Sequence, residues 1–304
     1  MGAGAVGGWL AARLAQAAER QGLEVWAIAR GAHLEAIKTA GLLVKTPEGE
    51  LRARPQATGD PSSLGEAGLI LSCVKTYDLE DSCRRLSANL GPGTILVTLQ
   101  NGVEAPERAA AVVGRSRVVG GIVYGGFRLA GPGVVEQATS GRLTVGELDG
   151  PPGERVERLR VLFEACAVPC RVSANIVADM WKKLIWNVGF NAASALLGRT
   201  AQEVLASAEG EALVREAMDE LVGVAQAKGL PLTPEMAAKN IELTRGAAGA
   251  ILPSMAQDIA RRKPTEIEEM NGLVARLGEQ FGVATPVNRT LARLIRLREG
   301  GRAP

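Results

Sequence analysis

The chain has 304 residues, with 35 Lys+Arg against 33 Asp+Glu, 46% hydrophobic and 22% charged residues. That is enough for two domains of ordinary size. The balance is near neutral and offers no broad basic surface for nucleic acid or an anionic membrane, and no apolar run of ~20 residues exists to span a bilayer.

Four cysteines, Cys73, Cys83, Cys166 and Cys170, are too few to form a disulfide framework in a chain this long. "CAVPC" has no second Cys/His pair beside it, so buried free thiols are expected rather than a metal site. No signal peptide is evident, and a reducing cytoplasm fits best. His33 is the single histidine. Any mechanism that needs two histidines is excluded, three-His zinc sites among them.

The chain opens "MGAGAVGGWL". Gly2, Gly4 and Gly7, with Ala5 and Val6 between them, fill G-x-G-x-x-G. The first glycine allows a tight turn, the second a close backbone approach to a pyrophosphate, and the third close helix packing. The helix "GGWLAARLAQAAERQG" follows, with free N–H groups and a positive dipole end for phosphate. An apolar strand of ~5–6 residues is expected ahead of Gly2. A longer native chain is the favoured reading, with Met1 as the last residue of that strand; a domain that tolerates the gap is the alternative.

"LEVWAIAR" (23–30) reads as a buried strand. An acid at its end would hold the 2′-hydroxyl of NAD, whereas Arg30 suits a 2′-phosphate and His33 could add a donor. "AHLEAIKTAG" (32–41) is a short helix ended by Gly41. "LILSCVK" (69–75), "TILVTLQN" (94–101) and "RVVGGIVYG" (117–125) are further buried strands. This βαβ rhythm predicts a parallel sheet with helices on its faces. "GVVEQAT" and "RLTVGELDG" read as an antiparallel extension. "PPGERVERLRVLFEAC" is a helix with Pro at its start, and "VPCRVS" a last strand. From Asn175 onward, residues 175–197, 201–228, 234–249, 254–281 and 286–299 carry helical periodicity. The Arg-rich end reads as an amphipathic helix with a frayed tail. The fold class is therefore α/β: a Rossmann-type domain at 1–174, then an all-helical domain at 175–304. A ligand cleft is expected between them.

In "NIVADMWKKLIWNVGFNAASAL", Lys183, Asn187 and Asn191 lie four residues apart on one helix face. Apolar residues surround them, so they need partners if buried; a surface stripe is the alternative. "PSMAQDIARRKPTEIEEMNG" offers Ser254, Asp258, Glu266 and Asn271 around a break at Pro264. "PTEIE" is a capping signal that opens a helix.

Together these motifs resemble the ketopantoate reductase family, over nearly the whole chain. "GAGAVGG" is similar to its nucleotide loop, "VK" (74–75) and "LQNGVE" (99–104) to its cofactor-side loops, "WKKLIWNVGFNAASAL" to its catalytic helix, and "SMAQDIARRKPTEIEEMNG" to its substrate segment. The resemblance implies reduction of 2-dehydropantoate to D-pantoate by NADPH. It implies Lys183 as general acid with Asn187 beside it. It also implies Asn101, Asn187, Asn191, Ser254 and Glu266 against substrate, and Gly2, Gly4, Ala5, Val6, Gly7, Arg30, Lys75, Asn101 and Glu266 on the NADP(H) side. Asp78 stands where the family often has glutamine, and Pro253 where it often has a second serine; both departures touch the finer substrate contacts.

The chemistry agrees. Hydride transfer to a ketone builds charge on oxygen that a donor must neutralise. His33 belongs to the adenosine end, which leaves lysine. Burial lowers its pKa and a nearby Glu266 raises it. Glu266 could hold a substrate hydroxyl or Lys183 itself. A reductase of another 2-keto acid and a non-catalytic NADP-binding protein are the rival readings. A homodimer through the helical half is possible, but sequence gives no subunit count.

Overall fold

The computed structural model describes residues 1–246 and 249–300. Its contacts divide it into two compact units, Met1–Gln100 with Glu104–Ile176, and Asn101–Val103 with Val177–Pro304.

The first unit is α/β. Helix α1 (Ala5–Gln21) follows the glycine loop and stops at Gly22, whose left-handed backbone (φ 60°) suits glycine. Then come β1 (Trp26–Ile28), α2 (Gly31–Ala40), β2 (Leu42–Thr46), β3 (Gly49–Ala53), β4 (Gln56–Thr58), β5 (Ala67–Ser72), α3 (Leu79–Arg85), β6 (Leu90–Thr98), α4 (Ala105–Val113) and β7 (Val118–Tyr124). The remainder is β8 (Phe127–Gly131), β9 (Val134–Gln137), β10 (Arg142–Gly146), α5 (Glu154–Ala165) and β11 (Cys170–Val172). The apolar runs expected to be buried on both faces form a parallel core, β5 beside β6 beside β7. β10 joins β7 antiparallel, and β11 runs parallel to β10.

Three details depart from expectation. The strand expected at 23–30 is only three residues long, because a ladder forms only where a partner runs, and among the described strands β1 pairs with β4 alone. Among the described residues β1 and β5 do not pair with each other. Met1 lies between them at one end, donating to Leu71 O (2.8 Å) while its carbonyl accepts from Cys73 N (2.9 Å). The rest of the interval is a slot of about 730 Å³ lined by Ala27, Ile28, Ile70 and Leu71 among others. Second, β2 and β3 form a hairpin that joins β9 and β8 in a separate four-stranded sheet, order β3-β2-β9-β8. Third, Pro151 and Pro152 precede the helix, which starts at Glu154.

The second unit is helical: most of α6 (Ile176–Leu197), then α7 (Ala201–Val204), α8 (Ala208–Ala227), α9 (Pro234–Arg245), α10 (Ser254–Ala260), α11 (Asn271–Phe281) and α12 (Pro286–Arg298). Helix α6 is the core. Trp181, Leu184, Ile185, Val188 and Phe190 are buried against α8 and α11 residues. Each such side chain contributes about 1.5–3 kcal/mol. Gly189 lets α8 pack closely there, since a Cβ would fall 3.0 Å from both Met218 Cγ and Val214 Cγ1. The run expected at 201–228 is two helices. Thr200 caps one in a capping box with Glu203, and Ser207 caps the next by accepting from Gly210 N. The run expected at 254–281 also breaks. "PTEIE" opens only a single 3₁₀ turn, Ile267–Glu269, and the α-helix begins at Asn271. Glu220 of α8 accepts from the N–H groups of Val287 and Asn288, placing a carboxylate at the N-terminus of α12. Residues 247–248 of the run at 234–249, and 301–304 of the expected frayed tail, lie outside the described residues.

Candidate active site

The glycine loop is built by sterics. Gly2 has φ 83°, and a Cβ on it would meet Val74 N at 2.8 Å. A Cβ on Gly7 would meet Gly2 O at 2.3 Å, so only glycine lets α1 start this close to the loop. A Cβ on Gly4 would meet nothing within 4 Å. No protein contact requires glycine at that position, which is what a backbone facing a ligand should show. Gly4 is the N-cap of α1 and supplies no side-chain cap, and Ala5 and Val6 form the first turn. Their N–H groups and the helix dipole suit an anion. A dinucleotide pyrophosphate therefore fits this cradle. A contrast follows: Gly7→Ala is expected to cost about 1–3 kcal/mol by overpacking, read as a Tm several degrees lower. Gly4→Ala should leave Tm unchanged and weaken dinucleotide affinity. Equal Tm changes in calorimetry would contradict this division of labour.

Arg30 ends the β1 segment and is the N-cap of α2, its side chain 66% exposed. Its Nη2 lies 3.7 Å from Asp78 Oδ2. Asp78 thus stands beside the arginine expected to read a 2′-phosphate. His33 is not an open donor, contrary to expectation. Its Nδ1 accepts from Gly133 N (2.9 Å), so Nε2 carries the proton and donates to Ala3 O (2.5 Å). Burial pushes its pKa below the ordinary value. The ring ties the glycine loop to the turn between β8 and β9. Lys75 follows β5 at the head of a 3₁₀ turn, Thr76–Asp78. The loop before it is pinned by Gln100, whose Nε2 donates to Ser72 O, Ser72 Oγ and Val74 O at 2.9–3.1 Å.

In the helical unit, the i, i+4, i+8 stripe of α6 is realised. Asn187 is 5% and Asn191 1% exposed, so both are buried rather than a surface stripe. Lys183 is half-buried and its Nζ donates to Asn101 Oδ1 at 2.9 Å. Burial lowers the Lys183 pKa to about 8, against an upward pull from the Glu266 carboxylate. Glu266 is 5% exposed and directly precedes the Ile267–Glu269 turn. Asn191 Nδ2 donates to Met270 Sδ (3.0 Å), while its Oδ1 is buried with no partner among the described residues. A buried, unsatisfied acceptor is costly unless something donates to it. Ser254 opens α10 and is half-buried. It is not hydrogen-bonded to Lys183, Asn101 or Glu266 in the described structure. Pro253 fits the backbone there as N-cap, with φ −59°. Asn271 is structural: its Nδ2 donates to Val188 O and Asn288 Oδ1.

Sequence reasoning missed Gln100, Met270 and the Glu269 support. A Cβ on Gly102 would meet Glu269 Cβ and O at 3.1 Å, so the glycine beside Asn101 packs directly on the turn that follows Glu266. "LQNGVE" held Gln100 and Gly102 in view, but nothing local marks their partners. The four cysteines are free thiols, with burial pushing Cys73 and Cys83 to about 11 and Cys170 to about 12. Among the described residues no helix is long and apolar enough to cross a membrane.

Comparison with known proteins gives the same outline. The family described as ketopantoate reductase PanE/ApbA matches residues 1–150, and its C-terminal counterpart matches 175–299. The 2-dehydropantoate 2-reductase of Halobacterium salinarum is 34% identical, covering 87% of each chain. That of Mesorhizobium japonicum is 32% identical, over 97% of this chain and 95% of its own. The crystal structure of a PanE/ApbA family ketopantoate reductase from Ralstonia eutropha is 34% identical, with a TM-score of 0.90 over 99% of this chain and 97% of that one. The chain therefore belongs to the ketopantoate reductase family, oxidoreductases that reduce 2-dehydropantoate with a nicotinamide cofactor.

Proposed function

We propose that the hydride donor is NADPH, that Lys183 is the general acid, and that Asn101 and Asn187 orient it and the substrate carbonyl. The observation that carries this reading is the Lys183–Asn101 hydrogen bond at 2.9 Å, on a lysine whose pKa burial lowers to about 8. Gly2, Gly4, Ala5, Val6 and Gly7 would hold the cofactor's phosphates, with Lys75 and Asn101 as further cofactor-binding residues, and the cofactor when bound would supply a hydride for the ketone carbon. Lys183 gives its proton to the ketone oxygen as charge develops there, so the ketone becomes an alcohol and the lysine becomes neutral. Asn101 Oδ1 holds the ammonium in one rotamer and, being uncharged, does not compete for its proton. The unsatisfied Asn191 Oδ1 accepts from a substrate hydroxyl, and Ser254 and Glu266 bind the distal part of the substrate. The free thiols fit a reducing cytoplasm.

Steady-state reduction with NADPH, comparing 2-dehydropantoate with simpler branched 2-keto acids, tests this reading. The highest kcat/KM should fall to 2-dehydropantoate. A preference for another 2-keto acid would give this chain a different substrate, and NADPH binding without turnover on any of them would sink the catalytic assignment. The acid must be protonated to act, so kcat/KM for reduction should be level below about pH 8 and fall about tenfold per unit above it. A profile flat to pH 10 would remove Lys183 from the proton transfer.

A further inference from the structure

The last helix is wired to the turn beside Lys183. Arg296 of α12 grips Glu268 with two hydrogen bonds, Nε to Oε1 at 2.6 Å and Nη2 to Oε2 at 2.7 Å. One turn further on, Glu299 Oε1 accepts from Thr265 N at 2.6 Å. These contacts bracket Glu266 on both sides, at positions 265 and 268. The bracketed segment has little helix of its own to hold it. It is a single 3₁₀ turn after a proline, and such a turn is a weak element without outside anchors. Three groups of the site rest on it or next to it. Glu266 acts on Lys183, Met270 accepts from Asn191, and Glu269 packs under Gly102, next to Asn101.

We propose that Arg296 and Glu299 are positioning residues for the reaction: they clamp the 265–269 turn and so fix Glu266 and Asn101 around Lys183. The inference rests on Lys183 being the acid. A bidentate arginine–carboxylate pair sets both distance and angle, which a lysine at that position would not. Asp179, one turn before Lys183 on α6, is paired with Lys182 at 3.0 Å. Glu268 is held by Arg296, and the Glu266 carboxylate raises the Lys183 pKa. Loosening the clamp therefore lets Glu266 drift and weakens the pull of its carboxylate on the Lys183 proton.

Arg296→Ala and Glu268→Gln in the full chain test this, with Arg296→Lys as the conservative variant. The alkaline limb of kcat/KM should move down by about half a pH unit in the first two, roughly a twofold loss of protonated lysine at pH 8, with little change at pH 6. Arg296→Lys should restore part of the shift at most. Lys183 is also titrated directly, by NMR of lysine side chains labelled at the ε-carbon, with Lys183→Arg to assign the signal. If that titration moves and the rate profile does not, the clamp stands and Lys183 is not the acid. If the Lys183 titration stays in place in both variants while Tm falls, the contacts are structural only and the proposal is overturned.

Discussion

Lys183→Ala is expected to lower kcat by ~10²- to 10⁴-fold, the usual range for a lost general acid, while NADPH affinity persists. The loss corresponds to about 3–5 kcal/mol of barrier. Binding should survive because the glycine cradle belongs to the other unit and is held by its own contacts, Gly7 against Gly2 O and His33 against Ala3 O. Stability should not fall either. The folded pKa of about 8 lies below the ordinary 10.5, so between those values the folded chain binds fewer protons than the unfolded one. The charged ammonium is therefore a cost to folding at pH 7, and that cost is relieved only as pH rises through this window. Removing the group takes the cost away, and Tm should hold or rise. Lys183→Arg separates charge from proton delivery: arginine stays cationic but does not release a proton in this range, so turnover should remain low and the alkaline limb should disappear. NADPH oxidation gives kcat, nucleotide fluorescence gives Kd and calorimetry gives Tm. Near-normal turnover in the alanine variant would end the assignment.

What could be read from the chain follows from how local each feature is. The glycine loop and the parallel strands were legible because their signals sit within a few residues, G-x-G-x-x-G in one case and unbroken apolar runs in the other. The Lys183–Asn187–Asn191 stripe was legible because four-residue spacing fixes a face. Whether that face was buried was not legible, and the 5% and 1% exposures of the asparagines resolve it. The β2–β3 hairpin was missed because its strands are half polar, with Lys45, Glu50 and Arg52 facing out of an otherwise apolar alternation. The expectation for His33 failed for a different reason. The partner that takes its Nδ1 is Gly133, 100 residues away, and no local pattern shows it. Gln100 and Arg296 were silent for the same reason, each acting on a partner 28 residues distant. The site's chemistry was written locally, and its supports were written in tertiary contacts.

Arg30→Ala is expected to weaken NADPH by roughly 10- to 100-fold, the worth of a charge-assisted contact, and to change NADH by little. The competing group is Asp78, 3.7 Å from the guanidinium, with both side chains largely exposed. An exposed pair of this kind is worth at most about 1 kcal/mol. A 2′-phosphate carrying nearly two negative charges should therefore displace Asp78 from Arg30 readily. The carboxylate would nonetheless remain close enough to repel the phosphate, and it is the kind of acceptor that binds a ribose 2′-hydroxyl. Asp78→Asn consequently has opposite expected effects on the two cofactors: tighter NADPH by several-fold, from relieved repulsion, and unchanged or weaker NADH. Kd values for both nucleotides on wild type and the two variants decide the matter. If Arg30→Ala weakens both equally, the arginine does not read the 2′-phosphate. If the wild type prefers NADH and Asp78→Asn removes that preference, Asp78 has turned this corner of the site toward NAD.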